Sequence, residues 1–320
     1  MENSFVYLFR KLIKNPIKSF IMSEVQDTQF STAQQLINTV NQKIENRDKL
    51  TMSELKMICP EIATPEINPA LRQKLGITDK YVHVPTEKVI EDIMELGWTP
   101  INAYRVASRG KRTGTGRHMV KFINYDFMEE GKTEYPELLL TNSHDGTTAF
   151  KLDVGIFRLV CSNGMVVKSQ DFGSMKVRHY GYDFETIKGA VNSLVEQIPD
   201  YLKQVEDMKE QELEREQMLE FARQAALLRF NRANEESIDK IVDVEDLLES
   251  TRKEDDGNGL WEVFNRLQEK VVNGKFNYAF GKKERKARPV KGFKQQVKLN
   301  QDLWELASSY VPNETLEVAV

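Results

Sequence analysis

The sequence predicts an α+β fold: a central antiparallel β-sheet, short N-terminal helices before it, and a long-helix C-terminal part. Three observations carry this reading. Apolar residues recur at helical spacing near the start and again from Phe184 onward. Between them the period drops to two, in short runs rich in β-branched and aromatic residues and separated by Gly-rich or polar turns. No strand–helix–strand alternation occurs, which argues against a doubly wound nucleotide-binding fold.

Each element follows from the residues. Ala33, Leu36, Ile37, Val40 and Ile44 place a helix over 31–46, and Thr51–Ile58 reads as a second, short one. Pro60, Pro65 and Pro69 mark an irregular crossing over 59–70. Thr86 is a natural cap for a helix over Glu87–Leu96, with Val89, Ile90, Ile93 and Met94 on one face and Gly97 as its stop. Strands follow at Ile101–Ser108, Met119–Tyr125, Glu137–Thr141, Ala149–Val154 and Phe157–Val160. From Phe184 the helical stripe Ile187, Val191, Leu194, Ile198 returns, Pro199 starts or kinks the next segment, and the pattern runs on to about Phe230. Its polar stretch Glu210–Gln217 reads as a projecting, solvated helix. The resulting organisation is 1–21, a mis-called start or disordered extension; 22–79, a helical segment; 80–183, a β-rich core; and 184–320, a helical part packing back on that core.

Composition narrows the function classes. The chain has 320 residues, 45 Lys+Arg against 49 Asp+Glu, and a net charge of −4, so a wholly basic nucleic-acid binder is excluded and any such role rests on local patches. Hydrophobic residues at 40% suffice for a core. Two cysteines, Cys59 and Cys161, exclude a disulfide framework and a Cys-based zinc site. No apolar run is long enough for a transmembrane helix, and the expected location is the cytoplasm. In the first 21 residues, basic residues follow the short apolar run Phe5–Phe9, the reverse of a secretory signal.

Charge is concentrated in two places. Residues 235–256 hold ten acids and three bases, and residues 281–298 hold eight bases and one acid. The two segments either neutralise each other or leave an exposed basic face carrying Lys282, Lys283, Arg285, Lys286 and Arg288. A second basic cluster, Arg109, Lys111, Arg112, Arg117 and Lys121, has three glycines within it that allow close backbone approach to phosphate. It lacks the spacing of a nucleotide-hydrolase phosphate loop. Asn142-Ser143-His144-Asp145-Gly146 reads first as a hairpin turn. His144 and Asp145 are also weak candidates for acid/base chemistry or a divalent metal, with His118, His179 or Asp171 as partners, and no other cofactor is indicated. Cys161, in an apolar strand with no adjacent base, reads as a buried inert thiol. In the C-terminal run, Trp261, Phe264, Leu267 and Val271 form a core stripe flanked by Asn265, Gln268 and Glu269.

Four segments occur together in one order: His118-Met-Val-Lys-Phe; Leu140-Thr-Asn142-Ser143-His144-Asp145-Gly146-Thr; Phe157-Arg158-Leu-Val-Cys161-Ser-Asn163-Gly164; and Trp261…Asn265-Arg-Leu-Gln268-Glu269. Over roughly residues 80–310 this resembles the phage- and plasmid-like proteins grouped as domain of unknown function 932, an uncharacterised prophage family. Lys121 and Met165 stand where that pattern has Arg and often Leu, and the N-terminal 21 residues have no counterpart. The resemblance implies a mobile-element context in bacteria and carries no catalytic assignment.

Three functions are expected from these features. The leading one is an accessory protein that binds single-strand or duplex DNA backbone in recombination or replication. The second is an interaction or counter-defence protein acting on a host factor, with homo-oligomerisation as a further expectation. The third is a metal-dependent hydrolase.

Overall fold

The computed structural model describes residues 27–77, 81–106, 110, 114–128, 132–158, 165–166, 183–230, 233–281, 283–290 and 292–312. Two helices open it, α1 (Asp27–Asn46) and α2 (Met52–Ile58). The hydroxyl of Thr51 accepts from Glu54 N while the Glu54 carboxylate accepts from Thr51 N, a reciprocal cap that fixes the start of α2. The proline-rich crossing is ordered: a 3₁₀ turn at Pro60–Ala63 buries Glu61 and Ile62, and α3 (Pro69–Leu75) follows. Helix α4 (Thr86–Glu95) then lays Val89, Ile90 and Ile93 into the core. Pro85, not Thr86, occupies its N-cap position, which frees the Thr86 side chain for another use.

The sheet is an antiparallel meander of β1 (Thr99–Arg105), β2 (His118–Ile123), β3 (Glu134–Asn142), β4 (Lys151–Arg158) and the two-residue β5 (Met165–Val166), in that spatial order. The two strands expected at 149–154 and 157–160 are one. Gly155 sits within β4, opposite Glu137 on one side and Val166 on the other, without breaking the ladder.

Every residue of β3 is buried, so both of its faces are covered. Alternation puts Leu138, Leu140 and Asn142 on the face shared with Phe122, Val120 and His118 of β2 and with Val154 and Leu152 of β4. Glu137 points to the opposite face and meets two cations. Arg47 Nη1 lies 2.6 Å from Oε1, and Lys121 Nζ lies 2.8 Å from Oε2. Arg47 has a φ of 60°, a left-handed conformation that a non-glycine residue adopts at a cost, and it turns the chain at the end of α1 toward Glu137. Burial by itself disfavours each charge, but the ion pairs outweigh it: Glu137 is held below its ordinary pKa and Lys121 above its own.

The long C-terminal helix divides in two. Helix α5 (Phe184–Glu210) runs through Pro199 and packs on β4 and α4. The polar stretch after it is a turn stitched to a distant loop by Leu213 N–Asn258 O and Leu260 N–Gln211 O, at 2.9 and 2.8 Å. Helix α6 (Arg215–Arg229) then buries Phe221, Ala222, Ala225 and Ala226, so it is a core element and not a projection. Two short helices, α7 (Glu235–Ile238) and α8 (Val244–Leu248), precede α9 (Leu260–Asn273), most of whose side chains are buried. The chain then forms a two-stranded hairpin, β6 (Asn277–Phe280) and β7 (Lys283–Lys286), and ends in α10 (Phe293–Ser308). Helix α9 joins the layers. Trp261 Nε1 donates to Glu134 of β3, which also accepts from Lys209 of α5, and Gln268 donates to Asn300 of α10.

The Glu137 cluster makes a stability prediction. Glu137→Gln leaves two partly buried cations without their shared counter-charge and is expected to cost about 3 kcal/mol in urea unfolding. Lys203→Ala, at the exposed pair with Asp207, is expected to change stability by less than about 0.5 kcal/mol. Equal effects at the two sites would contradict the assignment.

Candidate functional site

The chemistry-bearing residues fall into two places, one closed to solvent and one open. The closed one is built around Thr86, at the start of α4. Its hydroxyl oxygen lies 2.8 Å from His118 Nε2, 3.2 Å from His144 Nε2 and 3.0 Å from Asn142 Nδ2. These side chains are all buried to within 1% of full exclusion from solvent.

The partners fix the tautomers. His118 Nδ1 faces the Gly116 carbonyl at 3.0 Å and must carry a proton, so neutral His118 offers a lone pair at Nε2. His144 Nε2 faces the Glu61 carbonyl at 3.1 Å and must carry its own proton there. Thr86 therefore donates to His118 and accepts from Asn142, while the single Nε2 proton of His144 is shared between the Glu61 carbonyl and the Thr86 oxygen. The remaining motif residues complete the turn. Asn142 Nδ2 also donates to Val84 O, and its Oδ1 accepts from Ser143 N. Ser143 Oγ exchanges hydrogen bonds with the backbone of Thr148, Asp145 accepts from Thr147 N, and Gly146 has a φ of 72°, which suits glycine. The rings of His83 and His118 lie 4.8 and 5.1 Å from that of His144.

Beside this network, Glu61 pairs with Arg105 at 3.3 Å and accepts from the Cys59 thiol. Burial and the neighbouring carboxylate push the Cys59 pKa up, which leaves the thiol protonated and unreactive. Burial also carries the Tyr81 phenol up to about 12. The arrangement thus clamps four pieces of chain together: the 3₁₀ turn, the start of α4, the start of β2 and the end of β3. Of the acid/base candidates, His144 turns its Nε2 into that clamp, and Asp145 accepts from Thr147 within its own turn. Among the described residues, no three His, Cys, Asp or Glu side chains are grouped to hold a metal ion.

The other site residues are distributed as follows. Arg117 donates to Thr148 Oγ1 at 2.6 Å and so belongs to the clamp's rim. Lys121, grouped by sequence with the basic hairpin, is committed to Glu137 and is not available to a phosphate. Arg109, Lys111, Arg112, Cys161, Asn163, Gly164, Asp171, His179 and Lys282 lie outside the described residues, and of Arg158 only the backbone pairing with Glu134 is described. Asn265 donates to Trp261 O, while Glu269 accepts from Arg252, Thr251 and Lys275, so both brace α9.

The open place is the β6–β7 hairpin. All four residues of β7 are exposed, as is Arg288 just beyond. Among the described residues, Lys283, Arg285, Lys286 and Arg288 have no ion-pair partner. The acidic segment does not neutralise them. Asp239 pairs with Arg223, Glu245 with Arg215, Asp246 with Lys270 and Asp255 with Arg252. A Cβ on Gly274, which caps α9 at a φ of 70°, would collide with the backbone of Ala287 and Arg288, so glycine there allows the hairpin to close onto α9.

Fold and sites together define an α+β protein with a sealed polar clamp in its sheet and a free basic hairpin at its helical end. The chain belongs to the family described as Domain of unknown function (DUF932), whose model matches residues 76–304. It is 30% identical over 269 residues to UPF0380 protein YafZ of Escherichia coli (strain K12), covering 82% of this chain and 92% of that protein. It is 27% identical over 273 residues to UPF0380 protein YfjQ of the same strain, again covering 82% and 92%. No solved structure matches. The matched segment contains both the clamp and the hairpin, but not Arg47 or Glu61. No helix among the described residues is long and apolar enough to cross a membrane.

Sequence reading found the motif residues but not their hub. Thr86 was concealed by its resemblance to a helix cap, and the signal that distinguishes it is the preceding Pro85, which already holds the cap position.

Protonating His118 would replace the Nε2 lone pair that accepts from Thr86 with a second donor facing the same hydroxyl. Burial, opposed by the Gly116 carbonyl and the Asp145 charge, pushes its pKa down to about 4 from the ordinary 6.5. The unfolded chain then binds more protons than the folded one between those values. The stability His118 contributes is present above about pH 6.5 and is lost as pH falls toward 4, to the extent of about 3 kcal/mol. Urea midpoints from pH 7 to 4 are expected to fall more steeply for the wild type than for His118→Asn. Parallel curves would contradict the network.

Proposed function

We propose that the protein binds nucleic-acid backbone through the β6–β7 hairpin, as an accessory factor in recombination or replication of a mobile element in the bacterial cytoplasm. The observation that carries this reading is the run of exposed cations on Lys283, Arg285, Lys286 and Arg288, none of them held by a carboxylate among the described residues. Cations left hydrated at a strand edge are the groups that displace counterions from a phosphate backbone, and such contacts are independent of base sequence. Lys282, Arg109, Lys111 and Arg112 are further contributors on the sequence pattern alone. Arg117 and Lys121 are not part of this surface, because each already has an internal partner.

The test is fluorescence anisotropy of a labelled oligonucleotide across a salt series. On a single strand, each phosphate contact contributes about −0.7 to the slope of log affinity against log salt. Replacing Lys283, Arg285, Lys286 and Arg288 by Ala is therefore expected to remove roughly 3 from that slope and most of the affinity. An unchanged slope would move the function away from this hairpin.

A further inference from the structure

The basic strand does not stand alone. A groove of about 690 Å³ runs beside it, lined by Asp239, Asp243, Asp246 and Glu284 around a floor that includes Val242, Tyr278 and Ala279. Its geometry follows from the backbone. Strand β6 pairs with β7 on one side, while Val242 bridges Tyr278 and Ala279 N donates to Ile241 O at 2.8 Å on the other. The hairpin and the acidic segment thus form three adjacent ribbons, with the cations and Glu284 on the outer one and Asp239, Asp243 and Asp246 along the far one. Neighbouring ribbons lie about 4.8 Å apart, so the two charged ribbons are about 10 Å apart.

We propose that this surface is a binding site for single-stranded nucleic acid, with phosphates along β7 and bases turned into the acidic groove. The inference rests on the backbone-binding reading above. A single strand has the same polarity as the surface. One edge is anionic, and the other carries unpaired bases with N–H donors that carboxylates accept, as Asp and Glu accept from cytosine N4. The groove is of small-ligand size, and Tyr278, directly opposite Arg285, lies along it where an unstacked base presents its face. A duplex fits badly. Its second backbone lies across a groove about 6–12 Å wide, which carries phosphates over the carboxylates about 10 Å from β7, and its bases stay paired inside the stack.

The experiment compares single-stranded and duplex DNA of one length, and oligo-dC with oligo-dT, against the full-length protein. Two variants accompany the wild type: Asp243→Asn, which keeps the hydrogen bond capping α8, and Glu284→Gln on the exposed face of β7. The expected result is single-strand binding at least about tenfold tighter than duplex binding, with oligo-dC above oligo-dT because thymine has no exocyclic amine. Combining the two variants is expected to reduce both preferences at an unchanged melting temperature. Equal affinity for single strand and duplex overturns this inference and leaves the backbone reading intact. No binding of either at low salt overturns both.

Discussion

Glu134, Glu137 and Asn142 sit in a strand from which water is excluded on both faces, and much of the architecture supplies their partners. A buried carboxylate or amide left unpaired costs several kcal/mol, so each of these residues needs an element brought to it. Glu134 takes the indole of Trp261 and the ammonium of Lys209, which fastens α9 and α5 to one end of β3. Glu137 takes Arg47 and Lys121, which fixes the end of α1 against the sheet. Asn142 takes Val84 O and Thr86, which places α4 and, through Thr86, both histidines. The leucines between these anchors supply burial, and the anchors supply register, because shifting β3 by one residue would put each of the three on the wrong face.

This division separates architecture from interaction. At the Thr86 clamp each polar atom of Asn142 and Ser143 is used inside the protein. A clamp of buried histidines and an amide around one hydroxyl is a positioning device, and its reach ends at the elements it joins. The helical end has the opposite character. Among the described residues, Lys283, Arg285, Lys286 and Arg288 have no ion-pair partner there, and the neighbouring acids are largely tied to arginines and lysines of α6, α9 and the loop before α9. The hairpin is nonetheless firmly seated, since Ala287 N donates to Phe276 O, Val290 N to Val272 O, and Arg229 donates to the Arg288 carbonyl.

Much of the fold was legible because its signals are local. The capped start of α2, the period-two runs of β1 to β3 and the Trp261 stripe of α9 are set by neighbours in sequence. The failures have a common cause in long-range partners. Gly155 reads as a break until β3 and β5 pair with it on both sides. The polar stretch after Glu210 reads as a solvated helix until residues 258–260 claim its backbone. Lys121 reads as one of a basic cluster until Glu137, sixteen residues on, meets it across the sheet. For the C-terminal basic segment the sequence leaves neutralisation and exposure both open. That choice depended on where Arg215, Arg223 and Lys270 would point, which no spacing rule encodes.

The central claim is that contact with nucleic acid lies on the hairpin and its groove, while the buried histidine cluster works inside the fold. The most direct measurement is ultraviolet crosslinking of a single-stranded oligonucleotide to the full chain, followed by mass spectrometry of the attached peptides. The account predicts attachment at Tyr278 and within residues 283–288, with none on the peptides carrying Thr86, His118 or His144. Attachment centred on the histidine peptides would contradict it.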